Sequence, residues 1–202
     1  RECHTNESFH GVFPEGTYYV QVREKLANGS DNAYNAGLIC SPVPDNDLRC
    51  NAQVIACGEQ YSGSLVGSSN TEPTCDIVNF EYEDGGDVWF RFEADSSEVY
   101  NIFGNSPGQF GLRLSIYESD SCDGSLTLAS VGCANSSIQG FTGNGTYFIC
   151  VYPLDYEAKK ALNYSVQLSC QPAAVNENPC DAISIPCGEG SISGSTAFAS
   201  TS

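Results

Sequence analysis

Hydrophobic residues recur at every second position through much of the chain. In VWFRF (88–92) Val88, Phe90 and Phe92 share one face, and in GLRLSIY (111–117) Leu112, Leu114 and Ile116 alternate with Arg113 and Ser115. GTYFICV (145–151) sets Tyr147, Ile149 and Val151 on one side, and NYSVQLSC (163–170) does the same with Tyr164, Val166, Leu168 and Cys170. A period of two belongs to strands whose two faces meet different surroundings. Helical spacing is confined to YEAKKAL (156–162), one or two turns at most. Turn-forming residues separate the runs at Asp84-Gly85-Gly86, Ser106-Pro107-Gly108, Asp123-Gly124 and Asn144-Gly145. The last of these predicts a tight hairpin. Eight or nine short strands in about 125 residues predict an all-β fold, an antiparallel β-sandwich of jelly-roll or immunoglobulin-like type.

The pattern is also self-similar. CNAQVIACGE (50–59) and CDAISIPCGE (180–189) share six of ten positions, both cysteines among them, and SGS follows each. GTYYVQV (16–22) matches GTYFICV (145–151), Tyr34 and Cys40 match Tyr164 and Cys170, and Cys3 matches Cys133. All four landmarks share an offset of about 130 residues, which points to tandem repeats, each with its own core. The reading is a C-terminal part of one repeat at 1–42, a complete repeat at 46–172 and the N-terminal part of another at 176–202. SPVPDND and QPAAVNEN are short, polar and proline-bearing, as linkers are. Methionine is absent and no leader precedes Arg1, as expected of a processed product or a window on a longer chain.

Eleven cysteines set the compartment. No C-x-x-C pair occurs and the only histidines are His4 and His10, so zinc spacing is missing and disulfides of a secreted or cell-surface protein are expected. Five N-x-S/T sequons, at Asn6, Asn28, Asn135, Asn144 and Asn163, fit an extracellular surface carrying glycans. Cys122 and Cys133 bracket a strand–turn segment and are expected to bridge, while the connectivity of Cys50, Cys57, Cys75 and Cys170 stays open. Cys150 is the odd thiol, because Gln21 holds its place in the preceding copy. It either packs beside Phe148 and Tyr152 or bonds another chain.

NDLRCNAQVIACG, SGSLVGSSNTEPTC, GGDVWFRFEA, SIYESDSCDGSLTLASVGCANSS and GTYFICV, in that order and spacing, resemble the bacterial pre-peptidase C-terminal (PPC-like) domain. The likeness is to its extracellular, cysteine-bearing variety that occurs in tandem. It covers the whole middle unit and the fragments on either side. The resemblance implies a jelly-roll-like sandwich, frequent calcium binding and an accessory or adhesive role. In such domains an Asn/Asp pair opening the unit and two acids three apart before the tryptophan strand hold calcium together. Here that implies Asp45, Asn46, Asp47, Asp84 and Asp87, and Ca²⁺ takes about six to eight oxygens of this kind. Asn176 and Glu177 keep the chemistry in the third copy, but Pro42 and Pro44 stand where the family carries further acids. Read on their own, the same residues are solvated turn formers. Glu118, Asp120 and Asp123 around Cys122 read as a solvated loop.

Charge and missing residues narrow the function. Eight basic against 25 acidic residues give a net charge of −17, which repels phosphate backbones and anionic lipid, so no nucleic-acid partner is expected. No apolar run approaches the ~18 residues of a membrane span. Residues 46–172 hold no histidine, so neither a Ser-His-Asp nor a Cys-His arrangement assembles there. Glu81, Glu83, Asp84 and Asp87 cluster on one turn and do not face one another across a cleft. Neither glycine-rich nucleotide motif appears. Trp89 and the tyrosines read as core before they read as a sugar platform. The expected function is a non-enzymatic extracellular structural repeat, a building block of a surface filament or adhesin. Its partners are neighbouring copies of itself, and calcium is a stabiliser. The alternative is a glycan- or matrix-binding accessory module of a secreted hydrolase.

Overall fold

Residues 15–22, 36–37, 42–69, 86–107, 111–153, 163–174, 180, 182–185 and 187–188 are described by a computed structural model. Among them a 3-10 turn (Arg49–Asn51) precedes nine strands: β1 (Gln53–Val54), β2 (Gln60–Ser64), β3 (Val88–Ala94), β4 (Glu98–Asn105), β5 (Leu112–Glu118), β6 (Thr127–Asn135), β7 (Ser137–Phe141), β8 (Gly145–Pro153) and β9 (Asn163–Pro172). They form a five-stranded sheet in the order β1-β3-β8-β5-β6 and a four-stranded sheet in the order β2-β9-β4-β7. This is an all-β two-sheet sandwich. Every pairing is antiparallel except the two-residue β1, which runs parallel to β3 with Gln53 opposite Phe90.

The alternation read from the sequence becomes the layer between the sheets. Val88, Phe90 and Phe92 of β3, Leu112, Leu114 and Ile116 of β5, and Tyr147, Ile149 and Val151 of β8 meet Tyr100 and Ile102 of β4 and Tyr164, Val166 and Leu168 of β9 in one buried cluster. Burying a large apolar side chain contributes about 1.5–3 kcal/mol, so this layer holds the sheets face to face. Gly104 faces it from β4, where a Cβ would come within 3.1 Å of the Leu114 Cδ2. The small residue lets β5 press against β4.

The outer face of the five-stranded sheet carries a second apolar cluster. Trp89, Tyr117, Phe148, Cys150 and Tyr152 are buried there, with Ala52, Cys122 and Leu126 packed against them. Arg49 lies over the Phe148 ring at 6.0 Å and donates from Nη2 to the Gly124 carbonyl at 2.8 Å and from Nε to the Cys122 carbonyl. The leading 3-10 turn and the β5–β6 loop therefore cap this face. Cys150, 3% exposed, is a thiol inside the cap, which matches the packed alternative beside Phe148 and Tyr152.

The bridge that fastens the cap corrects one expectation. Cys122 is bonded to Cys50, with Cα atoms 4.7 Å apart, and not to Cys133. Cys133 lies far along β6, opposite Ser115, whereas the loop end of that ladder is at Glu118 and Thr127. Ser115 and Glu118 are three residues apart along β5, about 10 Å, beyond the reach of a disulfide. Cys133 is itself disulfide-bonded. A second bridge joins Cys57 to Cys170 of β9, with Cα atoms 5.4 Å apart.

Two other expectations meet the structure differently, and a third is not tested by it. Asn144-Gly145 is not a tight hairpin: β7 belongs to the four-stranded sheet and β8 to the five-stranded one, so this turn, with Gly145 at φ 114°, carries the chain between layers. Residues 16–22, the sequence twin of β8, form no strand, and Tyr18, Tyr19, Val20 and Val22 are exposed. β8 is hydrogen-bonded on both edges, by β3 and β5, whereas no described strand pairs with residues 16–22. The helical candidate at 156–162 lies outside the described residues.

Candidate functional site

The segment ahead of the 3-10 turn crosses the open edge of the sandwich, where β1 and β2 end the two sheets. Pro44 begins a tight turn in which Asp47 N donates to the Pro44 carbonyl at 3.1 Å. That turn aims two side chains inward. The Asn46 amide donates to the Trp89 carbonyl at 3.0 Å, and Trp89 N donates back to the Asn46 carbonyl at 2.9 Å. Asn46 thus acts as a one-residue strand beside the start of β3. Its side chain also hydrogen-bonds the Tyr164 hydroxyl of β9, so one residue clips the two sheets together.

Asp47 is 6% exposed. Its carboxylate accepts from Ser69 N and, at 2.8 Å, from Ser69 Oγ. Asp87, 1% exposed, accepts the Trp89 indole N–H at 2.9 Å, and its own N–H donates to the Ser69 carbonyl at 2.9 Å. Ser69 therefore lies between the two acids. The approach is close enough that a Cβ on Gly86 would sit 2.4 Å from the Ser68 carbonyl oxygen. Of the five proposed ligands, Asp47 and Asp87 are buried and linked through Ser69, and Asn46 is hydrogen-bonded to Trp89. Asp45 is exposed, and Asp84 lies outside the described residues. Asp47 and Asp87 are not solvated turn residues. They are buried carboxylates whose oxygens accept N–H and O–H hydrogen bonds from Ser69 and Trp89.

Ser69 carried no signal in the sequence, and the Asp87–Trp89 bond is visible only once both are known to share the outer face of β3. The other groups of candidate ligands are Cys50, Cys122 and Asp123, and Cys57, Cys170 and Glu98. Their sulfurs are bridged, and a disulfide offers no thiolate to a metal. Glu118, Asp120 and Asp123 are exposed, as read from the sequence. So are the sequon residues Asn135, Asn144 and Asn163, whereas Asn6 and Asn28 lie outside the described residues.

Beside Asn46 opens a cavity of 650 Å³ lined by Asp45, Asn46, Asn51, Gln53, Tyr61, Phe90 and Tyr164, among others. Its floor is an aromatic row. Tyr61 and Phe90 have ring centroids 6.1 Å apart, and Phe90 meets Tyr164 edge-on at 6.0 Å. Burial raises the Tyr164 hydroxyl above the ordinary tyrosine value of 10.0, against the lowering effect of its bond to Asn46. Trp89, 0% exposed, is core and takes no part in this floor.

The molecule is therefore a disulfide-fastened β-sandwich whose open edge carries two buried acids and a shallow aromatic cleft. Among solved structures the chain is similar to the crystal structure of the pre-peptidase C-terminal domain of collagenase from Bacillus anthracis, at 15% identity and a TM-score of 0.34, with 58% of this chain and 94% of that one covered. No protein-family model and no curated protein matches the sequence. Among the described residues no helix is long and apolar enough to cross a membrane.

Proposed function

We propose that the chain is a non-enzymatic extracellular repeat protein, a PPC-like building block of a surface filament or adhesin, with neighbouring copies of itself as head-to-tail partners. The observation that supports this most is where the bridges fall. Both start in the eight residues that lead into the sandwich, one reaching the cap at Cys122 and the other the last strand at Cys170. Covalent fastening at the points where the chain arrives and leaves suits a bead that must stay folded in an oxidising space. The sequence period of about 130 residues supplies the neighbours, and the net charge of −17 keeps beads from collapsing on one another. Calcium is proposed at Asp45, Asn46, Asp47, Asp84 and Asp87, with the buried pair Asp47 and Asp87 as its main support. Glycans are proposed on the sequons, three of which are exposed.

A second reading, an accessory module that binds glycans for a secreted hydrolase, is favoured by the cleft. Half-buried Tyr61 with the amides of Asn51 and Gln53 in the same lining is the chemistry that stacks and hydrogen-bonds a sugar ring. Electron microscopy of the native material tests the two together. Filaments or end-to-end strings are expected; dispersed particles that bind a glycan and lose it on Tyr61→Ala would replace the first reading with the second.

A further inference from the structure

We propose that the Cys57–Cys170 bridge makes the sandwich inextensible when the chain is pulled from its two ends, so that its length under tension is set by thiol–disulfide exchange. The chain arrives at the amino end of β2 and leaves from the carboxyl end of β9. These strands are antiparallel neighbours, Gln60 opposite Gln167 through Ser64 opposite Asn163. In such a pair the arriving and departing ends lie side by side. Tension applied there loads the ladder one rung at a time, starting from Gly58 N to Leu168 O at 2.8 Å and Leu168 N to Glu59 O at 3.1 Å. Each rung is worth only about 0.5–1.5 kcal/mol net, so a ladder opened from its end resists far less than one sheared along its length.

Cys57 and Cys170 sit at that end, just outside the first rung. The contacts outside the bridge, from Asn46 to Ile55 before Cys57 and from Gln171 to Ala173 after Cys170, load first. The bond then takes the load before the β2–β9 ladder does, and the stretch between its cysteines, a separation of 113 residues, leaves the path of the force. With the Cys50–Cys122 bond open as well, that stretch would yield a length of about 370–400 Å at ~3.3–3.6 Å per residue. The Cys50–Cys122 bond is not on the path, because residues 50–57 connect directly to Cys57. It fastens the cap, and it carries the load only once the Cys57–Cys170 bond is open, when it holds the stretch between its own cysteines, a separation of 72 residues, out of the path.

Cys57 is exposed and Cys170 half-buried, so an external thiol can reach the bond. A thiolate attacks one bridge sulfur, forming a mixed disulfide and expelling the other as a thiolate that takes up a proton. A second external thiolate then attacks the mixed disulfide and expels the remaining cysteine. The bridge is reduced to two protein thiols, and two external thiols leave oxidised as one disulfide.

Single-molecule stretching of the 1–202 chain, held at its two ends, tests this. The oxidised protein is expected to show no release of the ~370–400 Å length, and the same molecules in a small dithiol are expected to show it. Cys50→Ala with Cys122→Ala should keep the lock. Cys57→Ala with Cys170→Ala should release about 160–170 Å without reductant, the length of residues 122–170 at ~3.3–3.6 Å per residue, because Cys50–Cys122 still spans the rest. If the latter pair does not fold, the folded wild-type protein reduced on the instrument decides. A full-length release from oxidised protein, or identical traces before and after reduction, would overturn the proposal. The inference rests on the structural reading only for the origin of the tension. A lock that holds in a protein found as dispersed glycan-binding particles would stand, while the filament reading would fall.

Discussion

Single residues decide how the open edge of the sandwich is closed. Asn46 holds β3 through main-chain and side-chain bonds to Trp89 and holds β9 through Tyr164. Gly86 allows residues 68–69 to come close enough for Ser69 to serve Asp47 and Asp87. Because a Cβ at Gly86 meets the Ser68 main-chain carbonyl as well as its hydroxyl, Gly86→Ala is expected to lower stability by about 1–3 kcal/mol, read as a shift of the denaturant midpoint. The tyrosines make a second residue-scale prediction. Tyr100 and Tyr164 both have hydroxyls raised above 10.0, chiefly by burial. Above pH 10 the unfolded chain releases these protons before the folded one does, so it binds fewer protons and gains on the native state. Stability should fall as pH climbs past the ordinary tyrosine value, and Tyr164→Phe should flatten that fall. Denaturation curves on either side of pH 10 measure both.

At the scale of elements, the strands were legible and their partners were not. VWFRF, GLRLSIY, GTYFICV and NYSVQLSC lie within β3, β5, β8 and β9, with the inward residues as read from their alternation. The turn at Asp123-Gly124 joins paired strands, and the chemically similar Asn144-Gly145 joins strands of different sheets. Nothing local to either turn separates the two cases. The cap was equally hidden, since it depends on Cys50 meeting Cys122 across 72 residues. Trp89, the one tryptophan of the chain, lies under this cap and reports on it. Cys50→Ala with Cys122→Ala is expected to cost about 2–4 kcal/mol. It should shift Trp89 emission to the red and make it quenchable by iodide. Unchanged emission would mean that the cap stays closed without its bond.

For the whole molecule, charge and the buried acids act together. A net charge of −17 repels itself, so any salt is expected to help the folded state somewhat. A specific calcium site predicts more. Calcium should raise the melting midpoint by several degrees over sodium chloride at matched ionic strength, and a chelator should reverse it. Asp47→Asn should abolish the difference while leaving the sodium chloride effect in place. Equal midpoints in the two salts would remove calcium from the reading.

The sequence by itself determined the all-β class, the strands and the residues that face the core, because a strand's period of two is a property of adjacent residues. The resemblance to PPC-like domains, and not the local pattern, is what singled out Asp45, Asn46, Asp47, Asp84 and Asp87. Only the tertiary structure decided that Cys50 meets Cys122 and Cys57 meets Cys170, that Ser69 lies between two acids, and that one side of the outer sheet is capped. Those are distances between residues tens of positions apart, set by how the sheets stack and by which edges are left open, and no local pattern encodes them.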